Sequence, residues 1–173
     1  MTFMNTQKSK KIFVVEDNRM YASMIENHLS QYPDCEINLF YNGEDCLLAF
    51  DQNPDVVLLD FHLNVDDDTA KTGFDYLKII KEKNPEQAVV MLSSMEDVKQ
   101  VVDLLKIGAY DYVLKDDMAF DNLDKVMNNL NGVLSIRNEV KSLQTTVKKQ
   151  NRRFAWTLFG IVVLVALSFR FIH

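Results

Sequence analysis

Short apolar runs alternate with amphipathic stretches through the first 130 residues. The runs at 11–15, 36–41, 56–59, 89–92 and 110–114 predict five strands. Three of them, Ile12-Phe-Val-Val15, Val56-Val-Leu-Leu59 and Val89-Val-Met-Leu92, are continuously hydrophobic, as strands covered on both faces should be. Between the runs, apolar residues recur at helical spacing. Met20, Met24, Ile25 and Leu29 share one predicted face, Leu77 and Ile80 another, and Val98, Val101, Val102 and Leu105 a third. Gly108 stands where a helix C-terminal glycine is expected. Strands alternating with helices predict a doubly wound α/β domain, with a five-stranded parallel sheet and right-handed crossovers.

The pattern changes after residue 130. Asn131-Gly132 combines two poor helix formers, which places a boundary between a domain at 11–130 and the C-terminal segment. Val133, Ile136, Val140, Leu143 and Val147 then fall at alternating spacings of three and four. Valine at the first heptad position with Ile or Leu at the fourth favours a parallel two-stranded coiled coil, so 131–153 reads as a stalk and 133–150 as a homodimer seam. Residues 154–169 carry no charge. At ~1.5 Å per residue they reach about 24 Å, and roughly 28 Å with Phe171 and Ile172 included, against a hydrocarbon core of ~30 Å. That predicts a transmembrane anchor at 154–172. Lys148, Lys149, Arg152 and Arg153 precede it and Trp156 falls at interface level. The expected location is thus the cytoplasmic face of the inner membrane, single-pass, with the C-terminus across.

Charge sharpens this division. The net charge of −6 combines an acidic part, with 12 Lys/Arg and 24 Asp/Glu in 1–130, and a basic part, with seven Lys/Arg and one Glu in 131–173. An acidic domain lacks the cationic footprint that nucleic acid requires, so no nucleic-acid partner is expected. Two cysteines, Cys35 and Cys46, are too few for a disulfide framework and fit a reducing compartment. Residues 1–10 are polar, read as a flexible N-terminus and carry no secretory signal.

In an open parallel sheet, ligands bind beyond the carboxyl ends of the strands. Glu16 and Asp17 follow the first predicted strand, Asp60 ends the third, Ser93 the fourth and Lys115 the fifth. Crowded carboxylates repel one another unless a cation joins them. A hard divalent ion with few protein ligands suits such a set, so Mg²⁺ is the expected cofactor. An adjacent lysine and hydroxyl would stabilise further negative charge. Together these groups describe a pocket for a phosphoryl group with an aspartate as its covalent acceptor.

Ile12-Phe-Val-Val-Glu-Asp17, Val56-Val-Leu-Leu-Asp60, Val90-Met-Leu-Ser-Ser94 and Asp111-Tyr-Val-Leu-Lys115 give residues 11–130 a resemblance to the receiver domain of bacterial response regulators. The resemblance implies the flavodoxin-like receiver fold, with Asp60 as phosphoacceptor and Mg²⁺ held by Glu16, Asp17, Asp60 and the backbone carbonyl of His62. It implies Ser93 and Tyr112 as switch residues and Lys115 as the partner of the phosphoryl group. The implied partners are a histidine kinase or phosphotransfer protein, and a downstream protein on the face at 95–130. The chain is then no enzyme beyond its own phosphorylation and dephosphorylation.

Two departures stand out. Asp116 replaces the proline that usually follows the lysine, and the segment from His62 to Gly73 is long, with Asp66-Asp67-Asp68 in its middle. The competing reading is a phosphorylation-independent scaffold of receiver type, binding partners at the membrane. A Mg²⁺-dependent phosphatase would need a second, suitably placed acid. A flavin carrier would need a rim that does not repel phosphate.

Overall fold

A computed structural model of the chain describes residues 9–64, 69–94 and 97–171, with backbone alone for 138 and 161–171. It divides into two compact units, Met1–Met127 and Asn128–His173.

The first unit is a five-stranded parallel sheet in the order β2-β1-β3-β4-β5. Its strands are β1 (Lys10–Val15), β2 (Cys35–Phe40), β3 (Val56–Asp60), β4 (Ala88–Ser93) and β5 (Asp111–Leu114), each within about a residue of the sequence expectation. β3 and β4 are buried at every position, which explains their unbroken hydrophobic sequence. The helices α1 (Arg19–Leu29), α2 (Gly43–Leu48), α3 (Gly73–Lys83) and α4 (Val98–Ile107) connect successive strands, and α5 (Ala119–Phe171) follows β5. One core cluster forms around Phe13, Val57, Leu59, Tyr76, Leu77, Ile80, Val89 and Met91.

Local chemistry sets the helix ends. The Asn18 side chain accepts the backbone N–H groups of Met20 and Tyr21 and starts α1. Asp97 does the same for Lys99 at α4. Gly108 ends α4 at φ 110, a left-handed conformation that glycine adopts without strain.

Two helical faces differ from expectation. In α1 the buried side chains are Ala22, Ile25 and Leu29, while Met20 and Met24 point outward at 73% and 46% exposure. Spacing alone could not tell which edge of a broad apolar stripe meets the sheet. In α4 the expected row is largely outside, with Val98, Val102 and Leu105 exposed and Leu104 the fully buried residue.

The second unit consists of the later part of α5. The helix continues through Asn131-Gly132, where a Cβ on Gly132 would project into open space. One glycine in a helix interior costs only about 1 kcal/mol, too little to stop a long helix. Val133, Ile136, Val140, Leu143 and Val147 are all exposed in the single chain.

The membrane expectation is corrected. No helix among the described residues is long and apolar enough to cross a membrane. The side chains described in the predicted anchor end at residue 160. Residues 154–160 rise only about 10 Å, a third of a hydrocarbon core. The predicted span from 161 onward lies outside the described side chains, as does the Asp66-Asp67-Asp68 segment. The single-pass location at the inner membrane therefore does not stand.

Candidate functional site

β1 and β3 are neighbours in the middle of the sheet, while the chain leaves β1 for β2 on one side and β3 for β4 on the other. The crevice at this reversal is where an open parallel sheet can receive a ligand. Backbone bonds extend the ladders to its rim. Glu16 N–H donates to Phe40 O at 3.0 Å, Phe61 N–H to Leu92 O at 2.8 Å and Lys115 N–H to Ser93 O at 2.7 Å. The rim side chains thus inherit the rigidity of the sheet.

Glu16, Asp17 and Asp60 each bring a carboxylate oxygen into one group, all within 4.8 Å of one another. Glu16 and Asp60 are almost fully buried, whereas Asp17 is exposed. The Lys115 ammonium lies between the buried pair, 2.6 Å from Glu16 Oε2 and 2.8 Å from Asp60 Oδ1. Burial pushes the Glu16 carboxyl up to about 7, with the Lys115 hydrogen bond opposing and the Asp60 charge adding to the rise. Asp60 Oδ1 is buried without a hydrogen bond of good geometry, so its contact with Lys115 is an ion pair rather than a directed bond.

Ser93, fully buried, has its hydroxyl 3.5 Å from His62 Nδ1. Tyr112 is half-buried and packs on the core. The structure therefore brings Glu16, Asp17, Asp60 and Lys115 into direct association. It puts Ser93 and His62 against one another at the same rim and leaves Tyr112 on the neighbouring strand.

Asn64, Gly73 and Tyr21 contribute to the site although sequence reasoning gave them no role, and Asp116 takes a part the sequence left open. Asn64, at φ 61, donates its backbone N–H to Asp17 Oδ2 at 3.0 Å, and its side-chain amide to Lys71 O at 3.1 Å. Gly73 sets the start of α3 against the pocket floor. Its N–H donates to Phe61 O at 3.1 Å, and a Cβ there would overlap the Asp60 carbonyl. Asp116, in place of proline, accepts Met118 N–H on Oδ1 at 2.9 Å, and no peptide bond among the described residues is cis. Its chemistry is that of a cap rather than of a kink. Tyr21 lies beside the lysine, its ring centroid 4.8 Å from Lys115 Nζ.

The donor set fits Mg²⁺. It offers hard oxygen donors from three carboxylates, one of them a buried oxygen with no directed bond of its own, and no thiolate or imidazole within the group.

Comparison with known proteins agrees with this geometry. The family model described as the response regulator receiver domain matches residues 12–128. The chain is 30% identical over 117 residues to the regulatory protein LuxO of Vibrio cholerae, a match covering 67% of this chain and 24% of that protein. It is 33% identical over 119 residues to a protein-glutamate methylesterase/protein-glutamine glutaminase of Archaeoglobus fulgidus, covering 67% of this chain and 32% of that one. The chain thus spans about a quarter to a third of the length of these relatives. Among solved structures, NtrX from Brucella abortus superposes with a TM-score of 0.68 at 26% identity, over 78% of this chain and 29% of that one.

Proposed function

This chain belongs to the response regulator receiver domain family, and on that footing we propose that it accepts a phosphoryl group on Asp60 from the phosphohistidine of a histidine kinase or phosphotransfer protein. The observation that carries this reading is the placement of the Lys115 ammonium 2.8 Å from Asp60 Oδ1, within a cluster of three carboxylates at the reversal of the sheet. A carboxylate oxygen of Asp60 forms the new bond to phosphorus as the bond to the donor imidazole nitrogen breaks, and the product is an acyl phosphate. Glu16, Asp17, Asp60 and the carbonyl of His62 would hold Mg²⁺. When bound, the ion neutralises charge on the transferring phosphoryl oxygens.

Lys115 supplies a fixed positive charge to the same oxygens, and Ser93 a hydroxyl donor. In this reading the hydroxyl of Ser93 turns from His62 to the phosphoryl group. Tyr112 on the adjacent strand moves with it, altering the face at 95–130 for a downstream protein. The exposed Val98, Val102 and Leu105 support α4 as part of that face. The domain is 11–130, and the stalk at 131–153 joins two copies through Val133, Ile136, Val140, Leu143 and Val147. The esterase named for the Archaeoglobus relative is not carried over, because the match covers a third of that protein.

Mass measurement after incubation with Mg²⁺ and acetyl phosphate tests the chemistry. Wild type should gain one base-labile phosphoryl group and Asp60→Asn none. Equal labelling of the two would sink the assignment.

A further inference from the structure

Lys115 enters the pocket on a flexible four-carbon stem, and two carboxylates compete for its ammonium. Glu16 holds it slightly closer than Asp60, at 2.6 Å against 2.8 Å. The ring of Tyr21 lies 4.8 Å away, well inside the ~6 Å over which a ring face attracts an ammonium. This attraction has a useful property. Lysine has three N–H donors, and contacts with Glu16 and Asp60 occupy at most two. A ring face restrains the ammonium electrostatically while leaving the third donor for an incoming phosphoryl oxygen.

The ring is itself braced. Tyr21 N–H donates to Asn18 Oδ1 at 3.2 Å, which fixes the first turn of α1. The ring stacks on Phe120, with centroids 6.2 Å apart and planes at 28°. Phe120 lies 4.8 Å from the His28 ring. His28 Nε2 is 2.6 Å from Asp124 Oδ1, which also accepts the Tyr32 hydroxyl at 2.7 Å. The start of α5 and both ends of α1 therefore hold Tyr21 against the lysine.

We propose that Tyr21 is a positioning residue for phosphoryl transfer, its ring holding the Lys115 ammonium where it can meet the phosphoryl oxygens at Asp60. The proposal rests on Asp60 being the phosphoacceptor. With acetyl phosphate the Asp60 oxygen bonds to phosphorus, the bond from phosphorus to the acetyl oxygen breaks, and acetate leaves with its electron pair. Tyr21 takes no part in that exchange of bonds and acts only through Lys115.

The test is the initial rate of phosphoryl incorporation by the full chain with Mg²⁺ and acetyl phosphate. Tyr21→Phe keeps the ring face and should stay within about twofold of wild type, whereas Tyr21→Leu should be about tenfold slower. Tyr21→Met fills the space against Phe120 without a ring; it should be as slow as the leucine variant, which separates loss of the ring from loss of packing. Mg²⁺ affinity by calorimetry should not change, since the ring acts on the lysine and not on the metal ligands. In a Lys115→Ala background, Tyr21→Leu should cause no further slowing. Equal slowing in both backgrounds, or a phenylalanine variant as slow as leucine, would overturn the positioning role alone. Failure of wild type to label, or labelling of Asp60→Asn, would remove the phosphoacceptor and this proposal together.

Discussion

Lys115 is bound to Glu16 at 2.6 Å, closer than to the aspartate it is expected to serve. The pocket therefore carries its own cation, and the lysine neutralises two buried acids before any metal or phosphoryl group arrives. Removing one member of a buried ion pair leaves an uncompensated charge, at a cost of about 3–5 kcal/mol. In chelator, Lys115→Ala should melt well below wild type. Mg²⁺ should raise its melting temperature more than that of wild type, because the ion then takes over the missing charge. Asp17→Ala should blunt the Mg²⁺ response in either background. Calorimetric melts with and without Mg²⁺ check both expectations, and an equal Mg²⁺ shift in wild type and Lys115→Ala would contradict the first.

Glu16 gives the metal-free protein a pH dependence. Its carboxyl sits at about 7 in the fold against an ordinary 4.5. Below 4.5 the group is protonated in both folded and unfolded chains and has no effect. Between 4.5 and 7 the unfolded chain loses the proton while the folded chain keeps it, so stability falls as pH rises. Above 7 the whole penalty, on the order of 3 kcal/mol, is present. In chelator, Glu16→Gln should therefore lose less stability than wild type between pH 4.5 and 7. Urea unfolding across that range would show parallel curves if Glu16 were not the titrating group.

Gly73 is where α3 touches the backbone carbonyl of Asp60. A methyl group there meets backbone, which cannot rotate aside as a side chain can. Gly73→Ala should destabilise the domain by about 1–3 kcal/mol and slow labelling of Asp60. A variant with unchanged stability and unchanged labelling would show that α3 yields more readily than its packing suggests.

The seam on the later part of α5 predicts self-association. Val140, Leu143 and Val147 form an exposed apolar strip along the helix, beside Gln144 and Lys148. Leu143→Lys puts a charge at a fourth heptad position and should shift sedimentation equilibrium toward monomer while leaving labelling of Asp60 intact. A wild-type chain that sediments as monomer at tens of micromolar would remove the dimer.

The sheet and its rim were legible because their signals are local. A strand buried on both faces reads as an unbroken apolar run, and a polar residue directly after it must lie at the strand end. Glu16, Asp17, Asp60, Ser93 and Lys115 were found by that reasoning alone. The outward turn of Met20 and Met24 was hidden, since two sides of a broad stripe look alike until the partner surface is known. Tyr21 was hidden for a different reason. Its partner lies 94 positions away, and no spacing rule links a first-turn aromatic to a lysine after the last strand. Asn131-Gly132 does not interrupt α5, because propensity is a weak penalty in a long helix. The uncharged run at 154–169 misled because, at about 24 Å, it falls short of a ~30 Å hydrocarbon core. No helix among the described residues is long and apolar enough to cross one.

Leu104 is the fully buried residue of α4, while much of the helix's apolar row faces outward. A helix fastened to its sheet at so few points has a low free energy of local opening. Its amides should exchange with solvent far ahead of those in β3 and β4, and they would do so without global unfolding. The same looseness has a thermodynamic use. A partner that covers Val98, Val102 and Leu105 gains apolar contact, but it must also freeze the helix in one place. Anything at the pocket that stiffens α4 beforehand removes part of that entropic cost and tightens binding, with no new contact formed at the interface.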